Sequence, residues 1–368
     1  MPGAELCFER IAIRAFRNIA SAELEPARRL NVVSGDNGHG KTSLLEALYV
    51  LATSKSFRAD KNAEVIQTGA DTAVVSARVA EGGLSREQRA VIGAKARVFS
   101  VDGKRVARLS LWATKTPVVV FHPGDLALAS GPAQGRRMLL DRVALFLEPL
   151  SADHRSRYTV ALRERQKALE ERGARAPELD AYEVILAEHG AALCRIRERT
   201  AARLAEALTP AFTRMAAPGL SLGVSLKSAG CPDPEDFRKA LVAARPIDVR
   251  RGSASFGPQR DDLDLVVDGR SARRHASQGQ QRVLSLALKV AELDCVREAR
   301  GAHPILLLDD VSSELDAQRF EAVFALLRGV PSQVFVTTPR PELFAMPEVA
   351  PADRADFGVR FGAVARLS

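Results

Sequence analysis

Rings with a polar handle are scarce in this chain: of 368 residues, one is Trp and three are Tyr. A surface that holds single strands by stacking bases needs a row of aromatic side chains, so that mode of recognition is not expected. Cysteine is also sparse. Cys7, Cys194, Cys231 and Cys295 are scattered, with no C-x-x-C pair, which argues against a zinc site and fits a reducing compartment. No apolar run approaches the ~20 residues of a membrane span, and the N-terminus lacks a signal-peptide pattern. There is no internal repeat and no low-complexity tract. A soluble, cytoplasmic protein without a membrane partner is expected.

The charge is not balanced. Lys and Arg number 53 against 45 Asp and Glu, a net charge of +8, with an isoelectric point near 9.6. Such a surplus suits a polyanionic partner, although it speaks to electrostatics and not to fold.

The stretch around which the chain is organised is Gly35-Asp36-Asn37-Gly38-His39-Gly40-Lys41-Thr42, which satisfies G-x-x-x-x-G-K-[ST]. Leu30 to Ser34 before it reads as a short buried strand, and Ser43 to Leu51 after it has helical apolar spacing. That context makes the pattern a phosphate-binding loop. Its glycines let successive N–H groups turn inward on a triphosphate, and the helix N-terminus adds partial positive charge. Lys41 is expected to reach the β- and γ-phosphates and Thr42 to offer a hydroxyl to Mg²⁺, so the ligands read from this segment are ATP and Mg²⁺.

In chain order, Cys7 to Ile13 and Ala22 to Leu24 read as strands around a basic bend at Arg14 to Asn18. Val74–Val79, Gln88–Ile92, Ala96–Val101 and Lys104–Val106 read as short antiparallel strands, with Asp102-Gly103 as a two-residue hairpin. Val118 to Phe121 is a further strand, closed by His122-Pro123-Gly124-Asp125. The period then becomes helical: Gly135–Glu148, Leu150–Arg172, and a long amphipathic helix from Leu179 to Leu208, ended by Pro210, Pro218 and Gly219. An α/β body comprising 1–125 and 216–368, interrupted by a helical arm at 126–215, is the expected organisation. Strand Leu220–Leu226, helix Pro234–Ala244 and strands between Ile247 and Val267 follow. A helix then opens at Ser277 and runs to about Arg300.

Ile305 to Asp310 is an apolar strand ending in two carboxylates, with Ser313-Glu314-Leu315-Asp316 opening a helix through Leu327 and Val334 to Thr338 forming a last core strand. Asp309 placed beside the phosphate loop is a hard oxygen ligand for Mg²⁺. Asp310 is placed to orient or deprotonate the water that attacks the γ-phosphorus. Catalysis is therefore assigned to Lys41 and Asp310, and metal binding to Thr42 and Asp309. Ala276-Ser277-Gln278-Gly279-Gln280 is close to the L-S-G-G-Q signature of ABC-type ATPases. A serine hydroxyl and glycine N–H groups at a helix start make a second anion site, so Ser277, Gly279 and Gln280 join residues Gly35, Asp36, Asn37, Gly38, His39, Gly40, Lys41, Thr42 and Ser43 as nucleotide contacts. In ABC-type ATPases the signature of one protomer caps the nucleotide of the other. That arrangement would make ATP an adhesive between two copies, with Ser277 on a γ-phosphate in trans and Asp316 linking the sites.

The interval between Lys41 and Ser277 is too long for a transporter ATPase subunit and too short for a long coiled-coil relative. With Ser54-Lys55-Ser56-Phe57-Arg58, Phe121-His122-Pro123-Gly124-Asp125-Leu126, Gly135-Arg136-Arg137-Met138-Leu139-Leu140-Asp141, Phe256-Gly257-Pro258-Gln259-Arg260-Asp261-Asp262 and Leu307 to Asp316, the whole chain resembles the RecF family of bacterial recombinational repair. The resemblance implies a Rad50-like ABC-type P-loop ATPase head with an inserted helical arm domain. It implies ATP-dependent dimerisation on double-stranded or gapped DNA, slow DNA-stimulated hydrolysis, and action with RecO and RecR to place RecA, in support of the SOS response.

The chain departs from that pattern in four places. Gln259 stands where the family usually has histidine, and His122-Pro123 where ABC relatives carry the Q-loop glutamine. Thr337-Thr338 stands in place of a switch histidine, and Asp310 in place of glutamate. Together these favour slow turnover and a long-lived ATP-bound clamp. Arg136/Arg137, Arg155/Arg157, Arg163/Arg165/Lys167, Arg195/Arg197/Arg199/Arg203, Arg250/Arg251 and Arg273/Arg274 are the candidate contacts to DNA phosphates. Two other readings are a transporter ATPase subunit and an ATP-switched protein scaffold that never touches DNA.

Overall fold

The structure is a computed structural model and describes residues 5–215, 219–310 and 331–367. The segment Ser313-Glu314-Leu315-Asp316 and its expected helix lie outside these residues. The chain divides into two compact units, Met1–Asp125 with Val296–Ser368, and Leu126–Cys295.

The first unit opens with β1 (Leu6–Phe16), β2 (Ile19–Leu24), β3 (Leu30–Ser34) and α1 (Lys41–Thr53). Next come β4 (Thr72–Glu81), β5 (Leu84–Gly93), β6 (Arg97–Val101), β7 (Lys104–Arg105), α2 (Leu109–Ala113) and β8 (Val118–Phe121). Strands β2-β1-β4-β5-β6-β7, in that order, form an antiparallel sheet. The period-2 pattern explains it: along β4, Ala73, Val75, Ala77 and Val79 are buried while Arg78 is exposed, as expected for a sheet with one dry face. Asp102 and Gly103 both take positive φ, 49° and 75°, the geometry of the tight hairpin expected there.

The second unit holds α3 (Ala133–Leu147), α4 (Ser151–Arg172), α5 (Leu179–Met215), β9 (Leu222–Lys227) and α6 (Pro234–Arg251). It continues with β10 (Asp262–Val267), β11 (Arg270–Ser271), α7 (Ala272–His275) and most of α8 (Gln278–Arg300). Two expectations change here. Helix α5 passes through Pro210, and α6 passes through Pro246 to Arg251, where strands had been expected from Ile247. A proline removes one N–H and leaves the carbonyl four residues earlier without a donor. Pro210, Glu206 and Pro246 are all exposed, so water can serve those groups and the helices persist. The expected return to the first unit at 216 also fails to coincide with a boundary. Strand β9 pairs with β10, and Phe237 of α6 packs on α5 so closely that a Cβ on Gly190 would meet its ring at 2.4 Å. Helix α5 ends at Met215, inside the second unit and not at its boundary.

The chain re-enters the first unit with β12 (Ile305–Asp309), β13 (Val334–Thr338), β14 (Arg354–Arg360) and β15 (Ala363–Arg366). These join a second sheet in the order β15-β14-β3-β13-β12-β8. All its pairings are parallel except that of β15. Leu30 to Val33, Ile305 to Asp309 and Val334 to Thr338 are buried throughout, as both-faced burial of a parallel sheet requires. Leu44, Leu45, Leu48 and Leu51 of α1 share one apolar core with Phe8 and Phe16 of the first sheet and Phe335 and Phe357 of the second. Since the strands run one way, Ser34, Phe121, Asp309 and Thr338 come to a common edge, the edge at which open α/β sheets bind ligands.

Candidate nucleotide-binding site

The loop after β3 is built by its glycines. Gly35, Gly38 and Gly40 have φ of 146°, 81° and 115°, a region closed to most side chains. A Cβ on Gly35 would lie 2.3 Å from the Val359 carbonyl oxygen, and one on Gly40 would lie 2.8 Å from the Asn18 amide. The Asn18 amide in turn donates to the His39 carbonyl at 3.1 Å, which also receives the Gly362 N–H at 2.8 Å. His39 rests against the ring of Phe361, centroids 4.3 Å apart. Asp36, Asn37 and Gly38 are exposed at the loop tip, while Gly40, Lys41 and Ser43 are buried.

Lys41 Nζ donates to the carbonyls of Gly35 and Asp36 at 2.6 and 3.0 Å, so its ammonium lies inside the loop curve. Thr42 Oγ1 donates to Asp309 Oδ1 at 2.7 Å. Thr337 Oγ1 donates to the same oxygen at 2.9 Å and accepts the Asp310 N–H at 2.9 Å. Thr337 thus pins Asp309, the last residue of β12, and Asp310 just beyond it. Burial raises the Asp309 carboxyl above its ordinary range, opposed by the two hydroxyls and by the charges of Arg58 and His122. Asp310 has φ 49° and lines the same cleft as Arg17, Asn37, Lys41, Thr42 and Arg58, a space of about 740 Å³.

The donor set fits Mg²⁺. A hard cation with few protein ligands takes hydroxyl and carboxylate oxygen, and Thr42 and Asp309 bring these together. Asp309 Oδ2 has no hydrogen-bond partner among the described residues.

Glu46 escaped the sequence reading. It lies fully buried in α1 and accepts from Arg17 Nε and Nη2 at 2.9 and 2.8 Å and from Ser56 Oγ at 2.5 Å. Arg58 stands 3.8 Å away. One buried carboxylate therefore holds two cleft arginines. The available signal was a lone glutamate within the apolar run Leu44 to Leu51. His122, in the place of the Q-loop glutamine, stacks on Phe57 with centroids 5.2 Å apart and faces Asp125 at 3.6 Å.

In the second unit, the Ser277 N–H donates to Gln280 Oε1 at 2.8 Å and the Gln280 N–H donates to Ser277 Oγ at 3.2 Å. This is a reciprocal capping box at the start of α8. Ser277 is exposed, with Gly279 in the first turn beside it.

A family model described as the RecF/RecN/SMC N terminal domain matches residues 7–115. The DNA replication and repair protein RecF of Anaeromyxobacter sp. (strain Fw109-5) is 38% identical over 367 residues, covering 97% of this chain and 98% of that one. The chain belongs to the RecF family. A solved structure of the recombination mediator protein RecF with ATP in the RecFOR pathway matches with a TM-score of 0.87 and 26% identity, covering 100% of this chain and 99% of that one. The Smc head domain with an extended coiled coil, bound to the C-terminal domain of ScpA and derived from Pyrococcus furiosus, is similar in fold. Its TM-score is 0.55 at 18% identity, over 99% and 96% of the two chains. The fold is that of RecF and SMC-type ATPase heads, and membership in this family removes the transporter-subunit reading.

The two RecF-like motifs of the second unit meet at Arg197. Its guanidinium pairs with Asp141 Oδ1 at 2.9 Å and with Asp261 Oδ2 at 2.9 Å, and donates to the Pro258 carbonyl. Arg136 forks onto Asp262 at 2.7 and 2.9 Å. Arg165 is fully buried between Glu183 and Asp248, at 2.9 and 2.7 Å. Arg136, Arg165 and Arg197 are therefore withdrawn as DNA contacts, since their charges are consumed inside the protein. Gln259, in the usual histidine position, accepts from Tyr158 Oη at 2.6 Å and donates to the Phe256 carbonyl at 2.7 Å. No helix among the described residues is long and apolar enough to cross a membrane.

Proposed function

We propose that this RecF-family chain is an ATP-dependent DNA-binding protein of recombinational repair. In this reading ATP joins two copies into a clamp on duplex or gapped DNA, and the clamp assists RecO and RecR in placing RecA. The observation that carries it is the convergence of Lys41, Thr42, Asp309 and Asp310 at one strand edge. The family's name as DNA replication and repair proteins supports the DNA role, and the RecF–ATP structure supports the choice of nucleotide.

Lys41 leaves the loop carbonyls for the β- and γ-phosphates, whose charge exceeds that of two carbonyl dipoles. Thr42 and Asp309 would hold Mg²⁺, which when bound neutralises phosphate charge. Asp310 orients or deprotonates the attacking water, with its backbone held by Thr337. Arg17 and Arg58, steadied by Glu46, keep the cleft positive. Ser277, Gly279 and Gln280 of a second copy supply the cap over the nucleotide. A shorter acidic side chain at 310, and threonine where other ABC proteins carry histidine, favour slow hydrolysis.

Filter binding of a gapped duplex, with and without ATP and across a salt series, tests the reading. ATP-dependent retention that weakens as salt rises supports it. Retention indifferent to ATP and salt favours the scaffold that never touches DNA.

A further inference from the structure

We propose that the trough in the second unit between α4, the loop after α6 and Arg137 of α3 binds the phosphodiester backbone of DNA. The inference rests on the DNA-binding reading above and gives it a place.

The trough encloses about 770 Å³ and is bordered by Arg137, Arg163, Lys167, Ser253 and Arg260, with Glu170 the one carboxylate among its described lining residues. Arg163, Lys167 and Glu170 recur at helical spacing on one stripe of α4. Arg260 donates its Nε to the Ala254 carbonyl at 2.8 Å, and its terminal nitrogens have no partner among the described residues. Ser253, just past the left-handed Gly252 that ends α6, offers a hydroxyl at the rim.

Arg137 is the observation that points to a ligand. It is half-buried and donates to the Asp261 carbonyl at 2.8 Å, yet forms no ion pair among the described residues. The neighbouring carboxylates are taken: Asp262 by Arg136, and Asp141 and Asp261 by Arg197, with Arg155 also on Asp141 at 3.1 Å. Burial and the Arg197 charge depress the Arg137 guanidinium below its ordinary value. A partly dehydrated cation without a counterion is costly, and an entering oxyanion would relieve it. The remaining cations are only weakly committed, Lys167 to Glu171 at 3.8 Å and Arg163 to its neighbour Glu164 at 3.1 Å, all exposed or partly so. Such pairs contribute little and exchange readily for phosphate.

The cations come from three elements along an open trough and do not converge on one point. That spread suits successive phosphates of a strand more than a single anion. Aromatic rings are absent from the described lining, so contact is to the backbone, independent of sequence.

The test is fluorescence anisotropy of a labelled duplex with full-length protein and ATP, from ~50 to ~200 mM salt. The variant Arg163→Gln/Lys167→Gln/Arg260→Gln changes partly or fully exposed groups. It is expected to bind at least about 10-fold more weakly at the lower salt. Its log–log salt slope should be shallower by about 0.9 for each phosphate that the variant no longer neutralises. Glu170→Gln, which removes the opposing charge, is expected to bind more tightly, and this gain cannot arise from misfolding. Wild-type binding with a salt slope, together with unchanged binding by both variants, would overturn the proposal and leave the DNA-binding reading standing. Absence of duplex binding by the wild type would remove both. If the variants altered only the affinity for inorganic phosphate, the trough would be a small-anion site and the proposal would fail.

Discussion

Thr42 and Asp309 are 267 residues apart in the chain and joined by a 2.7 Å hydrogen bond. The contact closes the phosphate loop onto the neighbouring strand end, and it gathers two hard oxygen donors at one place. Thr337, on β13 between β3 and β12 in the sheet, donates to the same carboxylate oxygen. Asp309 is held there by two hydroxyl donors against the cost of burial.

That tension yields the first expectation. The Asp309 carboxyl is raised by burial, so its ionised form costs folding free energy. The cost is full above the raised value and vanishes as pH falls below the ordinary value near 3.8. Asp309→Asn keeps an acceptor for Thr42 and Thr337 while removing the charge. Its Tm at pH 7 should equal or exceed that of the parent, with the difference shrinking in acid, while Mg²⁺-dependent ATP hydrolysis is lost. Thermal melts across pH, beside an ATPase assay, check both halves.

Lys41→Met removes the ammonium but retains most of the packing volume of a buried side chain. A hydrogen bond to a charged group contributes about 1.5–3 kcal/mol. ATP affinity should therefore fall roughly 10- to 150-fold, with little change in melting, as read by titration with a fluorescent nucleotide. Unaltered affinity would remove Lys41 from the site.

Arg197 links the motif ending in Asp141 to that containing Asp261. Burial already pushes the Asp261 carboxyl up, despite the Ala229 N–H and Arg197. Arg197→Ala leaves that buried carboxylate without its cation, a change that typically costs about 3–5 kcal/mol. Arg197→Lys should recover only part of this, because an ammonium cannot fork between two acids and the Pro258 carbonyl. Denaturant midpoints of the two variants provide the comparison.

His154 and His189 face each other on α4 and α5 with Nδ1 atoms 3.0 Å apart. Burial lowers His189 from its ordinary value near 6.5, with His154 and Arg157 acting in the same direction and Glu188 opposing. The unfolded chain thus takes up the proton more readily than the folded one. Stability from this group is full above about pH 6.5 and is lost as pH falls below that value. His189→Gln should flatten the melting curve's dependence on pH between about 5 and 7.

Gly35 to Ser43 were legible because few local conformations accept that glycine spacing before a helix. Asp309 was legible because an apolar run stops there. Glu46 was not, since Arg17 reaches it from the β1–β2 turn and Ser56 and Arg58 from the loop after α1, which only the fold brings together. Buried Arg136, Arg165 and Arg197 carry the same letters as surface arginines, and only their partners at Asp262, Glu183, Asp248, Asp141 and Asp261 tell them apart. Pro210 read as a helix end, and the helix from Pro234 was expected to stop at Ala244, because the sequence does not say which carbonyls face water. The capping box of Ser277 and Gln280 was not read from the sequence, because the same letters also serve an anion site at a helix start.

The measurement that bears most directly on the account is sedimentation velocity of the full-length protein with and without ATP, using Asp310→Asn to slow turnover. Both proteins are expected to sediment as dimers with ATP and as monomers without it, and Ser277→Arg in the same background to remain monomeric. A monomer at saturating ATP, or a dimer insensitive to Ser277→Arg, would contradict a nucleotide shared between two copies.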